Sequence, residues 1–173
     1  VQVSKVGGAG TPYFELYDPG NMRIDAQGDR WTAIVRSEVR LTATGQYVIR
    51  VYDADVNESV SYQILVQRLL PPLSTTPIAF GQPLNGNISF AGGVDFYTFN
   101  GAAGQVVSVQ ATKVGGTGTP YFEVYDPSTT RIDARGDRWT AIVRSEVRLT
   151  ATGDYVIRVY DADVNEPVSY QIF

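Results

Sequence analysis

The chain has no cysteine and no histidine. That excludes disulfide frameworks, cysteine nucleophiles, Ser-His-Asp triads, and zinc or haem sites built on those ligands. Charge is sparse as well: 18 % of residues are charged, below the roughly 25 % usual in soluble domains. Lysine occurs only as Lys5 and Lys113, so 12 of the 14 basic residues are arginine. A net charge of −4 with no basic cluster argues against a nucleic-acid surface. No apolar run approaches the roughly 18 residues of a membrane-spanning helix, so no membrane insertion is expected. The residues from Val1-Gln2-Val3 onward do not read as a secretory leader, so none is expected within this sequence. No nucleophile–base pair or acid–base pair of carboxylates stands out, so no enzyme is expected.

What is present has a β flavour. Hydrophobic residues make up 43 % of 173, with 17 Gly and 11 Tyr, and Val and Thr are frequent. The dominant feature is a repeat. Residues 1–65 align without a gap to residues 109–173, an offset of 108, with 11 differences in 65 pairs. Each copy carries a charge of −2 (6 basic against 8 acidic, then 7 against 9). The chain therefore divides into a partial repeat at 1–65, a proline-bearing linker at 66–76 and a complete repeat at 77–173. Pro71 and Pro72 cannot donate ladder hydrogen bonds and stiffen the linker.

Alternating apolar and polar residues, punctuated by turns every 8–12 residues, predict strands throughout. In the complete repeat they fall near 86–90, 95–100, 105–112, 120–125, 139–143, 145–151, 154–160 and 168–172. In the partial repeat they fall near 12–17, 31–35, 37–43, 46–52 and 60–66, and Val1-Gln2-Val3 reads as the end of a further strand. The fold class is all-β: tandem antiparallel β-sandwiches of jelly-roll type, the first one incomplete at its N-terminus. An incomplete sandwich would expose core face and unpaired strand edges. The 173 residues therefore read as a window on a longer repeat array, or as a chain whose missing strands come from another subunit.

The order of several short motifs resembles the bacterial pre-peptidase C-terminal domain. They are Asp95-Phe-Tyr-Thr-Phe99, Ala103-Gly-Gln105, Tyr121-Phe-Glu-Val-Tyr-Asp-Pro127, Thr150-Ala-Thr-Gly-Asp-Tyr-Val-Ile-Arg-Val159 and Ser169-Tyr-Gln-Ile172. The resemblance covers about 77–173 and most of 1–65. It implies a secreted jelly-roll module without catalytic residues, of the kind that accompanies extracellular peptidases and large surface proteins. Some relatives bind calcium, and the collagen-binding domains of bacterial collagenases look similar.

Two sets of side chains carry candidate chemistry. Asp53, Asp55, Asn57 and Glu58, with their copies Asp161, Asp163, Asn165 and Glu166, offer the hard oxygens that Ca²⁺ takes, though without an EF-hand pattern. The competing reading is a solvated acidic hairpin loop. Tyr13, Glu15 and Tyr17, and their copies Tyr121, Glu123 and Tyr125, share a strand face by period 2. Arg158 and Tyr160 share a face of a neighbouring strand. Such a tyrosine–arginine face suits a fibrous protein or a sugar, and equally an outer face held by cross-strand pairs. Arg135-Gly136-Asp137 is a nominal integrin tripeptide that the first copy lacks, having Gln27 in place of Arg135, so a tight turn is the simpler reading. Trp31 and Trp139 are expected in the core or against a packed edge.

The expectation is a non-enzymatic structural or adhesive repeat, extracellular or at the cell surface. It belongs to a tandem-repeat surface protein, or to a filament assembled by strand complementation. Its partners are neighbouring repeats or further copies of the same protein. The alternative is a collagen- or polysaccharide-binding accessory module of a secreted hydrolase.

Overall fold

A computed structural model describes residues 1–173. The chain is all-β and divides into two units, Val1–Gln67 and Arg68–Phe173. Residues 68–76 of the linker thus belong with the second unit.

The second unit is a two-sheet sandwich. One sheet has the order β13 (Ile142–Arg148), β10 (Val106–Gly116), β15 (Val168–Ile172), β8 (Leu84–Ile88). The other runs β12 (Arg131–Arg135), β11 (Pro120–Tyr125), β14 (Gly153–Asp161), β9 (Val94–Gly101), β7 (Thr76–Pro77). All pairs are antiparallel except β7 on β9. The inner faces meet in one apolar cluster, with Val109, Val147, Tyr170 and Ile172 from one sheet against Phe99, Phe122, Tyr155 and Ile157 from the other. Strand β13 shows why period 2 works here. Val143, Ser145 and Val147 point inward, while Arg144, Glu146 and Arg148 face solvent.

The first unit keeps two three-stranded sheets. They have the orders β4 (Ile34–Arg36), β1 (Gln2–Gly8), β6 (Val60–Leu65) and β3 (Arg23–Gln27), β2 (Pro12–Tyr17), β5 (Val48–Asp53). Its core is small: Val3, Phe14 and Val35, flanked by Val1, Ile49 and Val51. The registers repeat those of the second unit at an offset of 108, as in Val3↔Ile64 against Ala111↔Ile172. Counterparts of β7, β8, β9 and the start of β10 are lacking.

Three strand expectations need correction. Residues 139–143 and 145–151 are not two strands but one, β13. Asp137 is the reason: its carboxylate takes the N–H groups of Trp139 and Thr140, so the backbone there cannot enter a ladder until Ile142. In the first unit, 31–35 shrinks to β4 and no strand forms over 37–43. The equivalent residues 145–148 are held by Val106, Val107, Ser108 and Val109 of β10, and the first three of those have no counterpart beside β1. Strands β3 and β12 were not foreseen. They return antiparallel to β2 and β11 after the Asp18-Pro19 and Asp126-Pro127 turns.

Candidate functional site

The repeat places identical residues in two settings. In the second unit β15 is flanked by β8 and β14 by β9. In the first unit the counterparts β6 and β5 are edge strands. Tyr170 and Ile172 are wholly buried, whereas Tyr62 is 42 % and Ile64 46 % exposed. Leu149 is 1 % exposed and its copy Leu41 57 %. Tyr62 and Ile64 on β6, with Leu41 in the irregular segment after β4, thus leave apolar side chains exposed, and the edge strands β5 and β6 have N–H and C=O groups that lack a neighbour on one side. Such an edge invites pairing with another strand.

What covers the equivalent edge in the second unit is visible. Tyr170 sits opposite Gly86 in the β15–β8 register. Its hydroxyl donates to Asp95 Oδ2 at 2.7 Å and lies 2.9 Å from the Tyr97 hydroxyl. Burial, then the Asp95 charge, pushes the Tyr170 phenol far above its usual range, so it stays a neutral donor. Gly86 is required sterically: a Cβ there would lie 2.2 Å from Tyr170 Cζ and 2.6 Å from Tyr97 Oη. Around this centre Ser169 Oγ donates to Asn87 Oδ1 at 2.9 Å and Gln171 Nε2 to Asn85 Oδ1 at 3.3 Å. An open cleft between β7, β8 and β9 is lined by Thr76, Asn85, Asn87, Asp95 and Phe96.

The tyrosine faces do assemble, but as cross-linked sheet surface. Glu123 is the hub. Tyr125 Oη donates to its Oε2 at 2.7 Å, Arg158 Nη1 to the same oxygen at 3.0 Å, and Arg131 Nη1 to Oε1 at 2.7 Å. Burial, with the Glu123 hydrogen bond and charge, pushes Tyr125 up to about 12. Arg158 lies 4.5 Å over the Tyr160 ring, and Tyr121 and Tyr160 are 5.0 Å apart. In the first unit Tyr17 and Arg23 each reach Glu15 at 2.8 Å, and Arg50 stands off at 3.5 Å. The Arg23 hydrogen bond and then that of Tyr17 hold the Glu15 carboxyl below its usual range. Tyr13 packs on Tyr52 at 5.0 Å. The Arg158 side chain is 1 % exposed and that of Arg50 66 %, since β14 is an inner strand and β5 an edge.

The acidic loops do not form an oxygen cage. Asp161 spends Oδ1 on the Thr119 N–H and Oδ2 on the N–H groups of Asn165 and Glu166. Asp53 does the same with Thr11, Asn57 and Glu58. Burial works to raise the Asp53 carboxyl, but these N–H donors outweigh it and hold it low. Asp55 pairs with Arg30 at 2.8 Å and Asp163 with Arg138 at 2.6 Å. No three acidic side chains converge. The calcium set Asp53, Asp55, Asn57, Glu58, Asp161, Asp163, Asn165 and Glu166 is therefore not brought together around a point. These residues shape a loop whose apex holds Val56 and Val164 at φ 59°. For a β-branched residue that is a strained conformation.

The tryptophan expectation is also corrected. Trp31 and Trp139 are each 88 % exposed. Asp29 and Asp137 anchor the tryptophan loops by accepting from the backbone N–H groups of Trp31 and Thr32, or Trp139 and Thr140, and from each Thr hydroxyl. That leaves Asp137 of the Arg-Gly-Asp tripeptide committed to its own turn, with Gly136 at φ +139°. The Gly-Asp-x-Trp-Thr spacing carried this turn in the sequence; a lone tryptophan gave no hint that it would point outward.

A two-sheet sandwich, repeated once with its strand edges open, defines a β-sandwich repeat protein. Residues 93–161, within the second repeat, match the bacterial pre-peptidase C-terminal domain. The first unit carries the 109–161 part of that span at residues 1–53. No curated protein matches the chain. Among solved structures, the pre-peptidase C-terminal domain of a Bacillus anthracis collagenase is similar at 18 % identity and TM-score 0.48, covering 58 % of this chain and 94 % of that one. PliG of Aeromonas hydrophila, a periplasmic inhibitor of g-type lysozyme, is similar at 23 % identity and TM-score 0.42, covering 57 % and 92 %.

Proposed function

We propose that this chain is a section of a non-catalytic, extracellular structural or adhesive tandem-repeat protein whose copies self-associate. One observation carries the reading: two copies 108 residues apart differ at 11 of 65 aligned pairs, as in a protein that works by repetition of one unit. The match of residues 93–161 to a pre-peptidase C-terminal domain supports an accessory rather than a catalytic role. The test is the oligomeric state. Light scattering with negative-stain microscopy is expected to show concentration-dependent association or filaments. A monodisperse monomer with an ordered first unit would reject the reading.

A second reading rests on a separate observation, the exposed Trp31 and Trp139 on their fixed turns. Aromatic side chains held rigidly in solvent suit a binding surface, and a collagen- or polysaccharide-binding accessory module would use them. Pull-down on insoluble collagen and polysaccharides, lost in the Trp31→Ala/Trp139→Ala double variant, would support it. No retention on any of these would count against it.

A further inference from the structure

We infer that the tryptophan loop of each repeat is a binding site for a neutral polysaccharide, and that Trp31 and Trp139 add their grip on the same polymer. This rests on the accessory-module reading above and names its ligand.

Three loops are tied together at the site. In the second unit Thr119 stands between the tryptophan loop at 136–141 and the acidic loop at 161–166. Its N–H donates to Asp161 Oδ1 at 2.8 Å and its hydroxyl to the Asp137 carbonyl at 2.9 Å. The Ala162 N–H returns to the Thr119 carbonyl at 2.9 Å. Arg138 then reaches from the tryptophan loop to the acidic loop, meeting Asp163 at 2.6 Å. In the first unit Thr11, Asp53, Asp29, Ala54 and the Arg30–Asp55 pair repeat every one of these contacts. The backbone that carries each indole is therefore ordered before a ligand arrives, which lowers the cost of binding.

Neither indole serves the fold. Both are 88 % exposed, and neither Nε1–H has an acceptor within the chain. Yet the loops around them are held constant. Residues 28–33 equal 136–141 and 53–58 equal 161–166 without exception, and the turn before Thr119 differs only in Ala9 for Thr117. The exposed turn 18–22, by contrast, differs from 126–130 at three of five positions. The copies have diverged at one exposed turn and kept this one. Exposure and ties are the same although the two units differ in strand number, so the feature does not depend on what flanks either copy.

The chemistry selects the ligand. A flat indole face in water packs on the C–H face of a pyranose ring. The Asp163 carboxylate and the exposed Asn165 amide, on the loop tied beside it, offer hydrogen bonds to sugar hydroxyls. An anionic polymer is disfavoured, since the chain carries −4 and Arg138 is already paired with Asp163. A stable protein interface takes roughly 800 Å² from each partner, and one indole rimmed by an ion pair supplies a small part of that. Weak single sites repeated along a chain suit a ligand that itself repeats, because engaging the second site raises affinity without a new kind of contact.

Both of the chain's tryptophans lie in these sites, so indole fluorescence reports on nothing else. The full chain is titrated with cellohexaose, chitohexaose and maltohexaose. Its depletion is measured over cellulose, chitin and starch, with fibrillar collagen and heparin beads alongside. At least one neutral sugar is expected to shift the indole emission, and its polymer to retain the chain. Trp31→Ala or Trp139→Ala should weaken that retention about tenfold or more, and the double variant should abolish it. An unchanged melting temperature in each variant separates loss of the site from loss of the fold. Retention on a neutral polymer that survives the double substitution would overturn the site. Retention on heparin alone would overturn the neutral ligand. Retention on collagen alone, lost in the double variant, would overturn the sugar and leave the accessory-module reading standing. No retention on any of these matrices would take that reading down as well.

Discussion

Glu123 and Glu15 are the same residue by repeat, yet they carry different loads. Glu123 neutralises Arg158, whose side chain is 1 % exposed, as well as Arg131 at the sheet edge. Removing its charge takes a carboxylate away from a buried guanidinium, which typically costs about 3–5 kcal/mol. Glu15 faces Arg23 and Arg50, both of which stay largely in water, so its loss costs less. Urea unfolding of Glu123→Gln and Glu15→Gln should show this asymmetry. A second consequence concerns acid. The Trp31 and Thr32 donors hold Asp29 low, the Thr140 and Trp139 donors hold Asp137 low, and Ser128 and Thr130 do so for Asp126. Each contributes stability that is complete above the ordinary value of 3.8 and is lost as pH falls through the lower folded value. The melting temperature should therefore hold from pH 7 to about 5 and fall below about 4. Asp29→Asn/Asp137→Asn should flatten part of that fall.

At the scale of elements, one sequence adopts two structures according to what lies beside it. Ser145–Arg148 is strand while the identical residues 37–40 are irregular, because Val106–Ser108 pair with one set only. Local propensity cannot distinguish them, and tertiary pairing does. The same logic gives a packing prediction. Ile172→Ala should cost about 2–5 kcal/mol by leaving a cavity, whereas Ile64→Ala should cost less than about 1 kcal/mol, read by calorimetry. This also marks what the residues made legible. Period-2 alternation located β2, β11, β14 and β15, whose apolar core residues fall at every second position. It missed β3 and β12, whose Arg-Ile-Asp-Ala run is short and polar. It overran into Trp31 and Trp139, because an aspartate capturing nearby N–H groups ends a ladder without changing the apolar pattern. The tyrosine–glutamate–arginine face was found by spacing, but its burial depends on which strands are central, and that is set by partners far along the chain. Carboxylate counting suggested calcium at Asp53 and Asp161, whose carboxylates each accept three backbone N–H groups. Melting temperatures in calcium and in chelator should therefore agree within about 1 °C, and a calcium-dependent rise of several degrees would overturn that account of the loops.

At the scale of the whole molecule, the absence of cysteine leaves stability to burial and pairing, and the repeat distributes both unequally. The second unit has nine strands around one continuous core, and the first has six around a core of three buried residues. Near-identical sequence with unequal strand number makes the arm, residues 77–108, the difference between a closed sandwich and an open one. Calorimetry of the chain with and without an added copy of residues 77–108 joined to Val1 tests this most directly. The account predicts two transitions for the chain alone, the lower from the first unit. The added arm should raise that lower transition by at least 10 °C toward the upper one. A lower transition unmoved by the arm, or a single transition in both proteins, would contradict it.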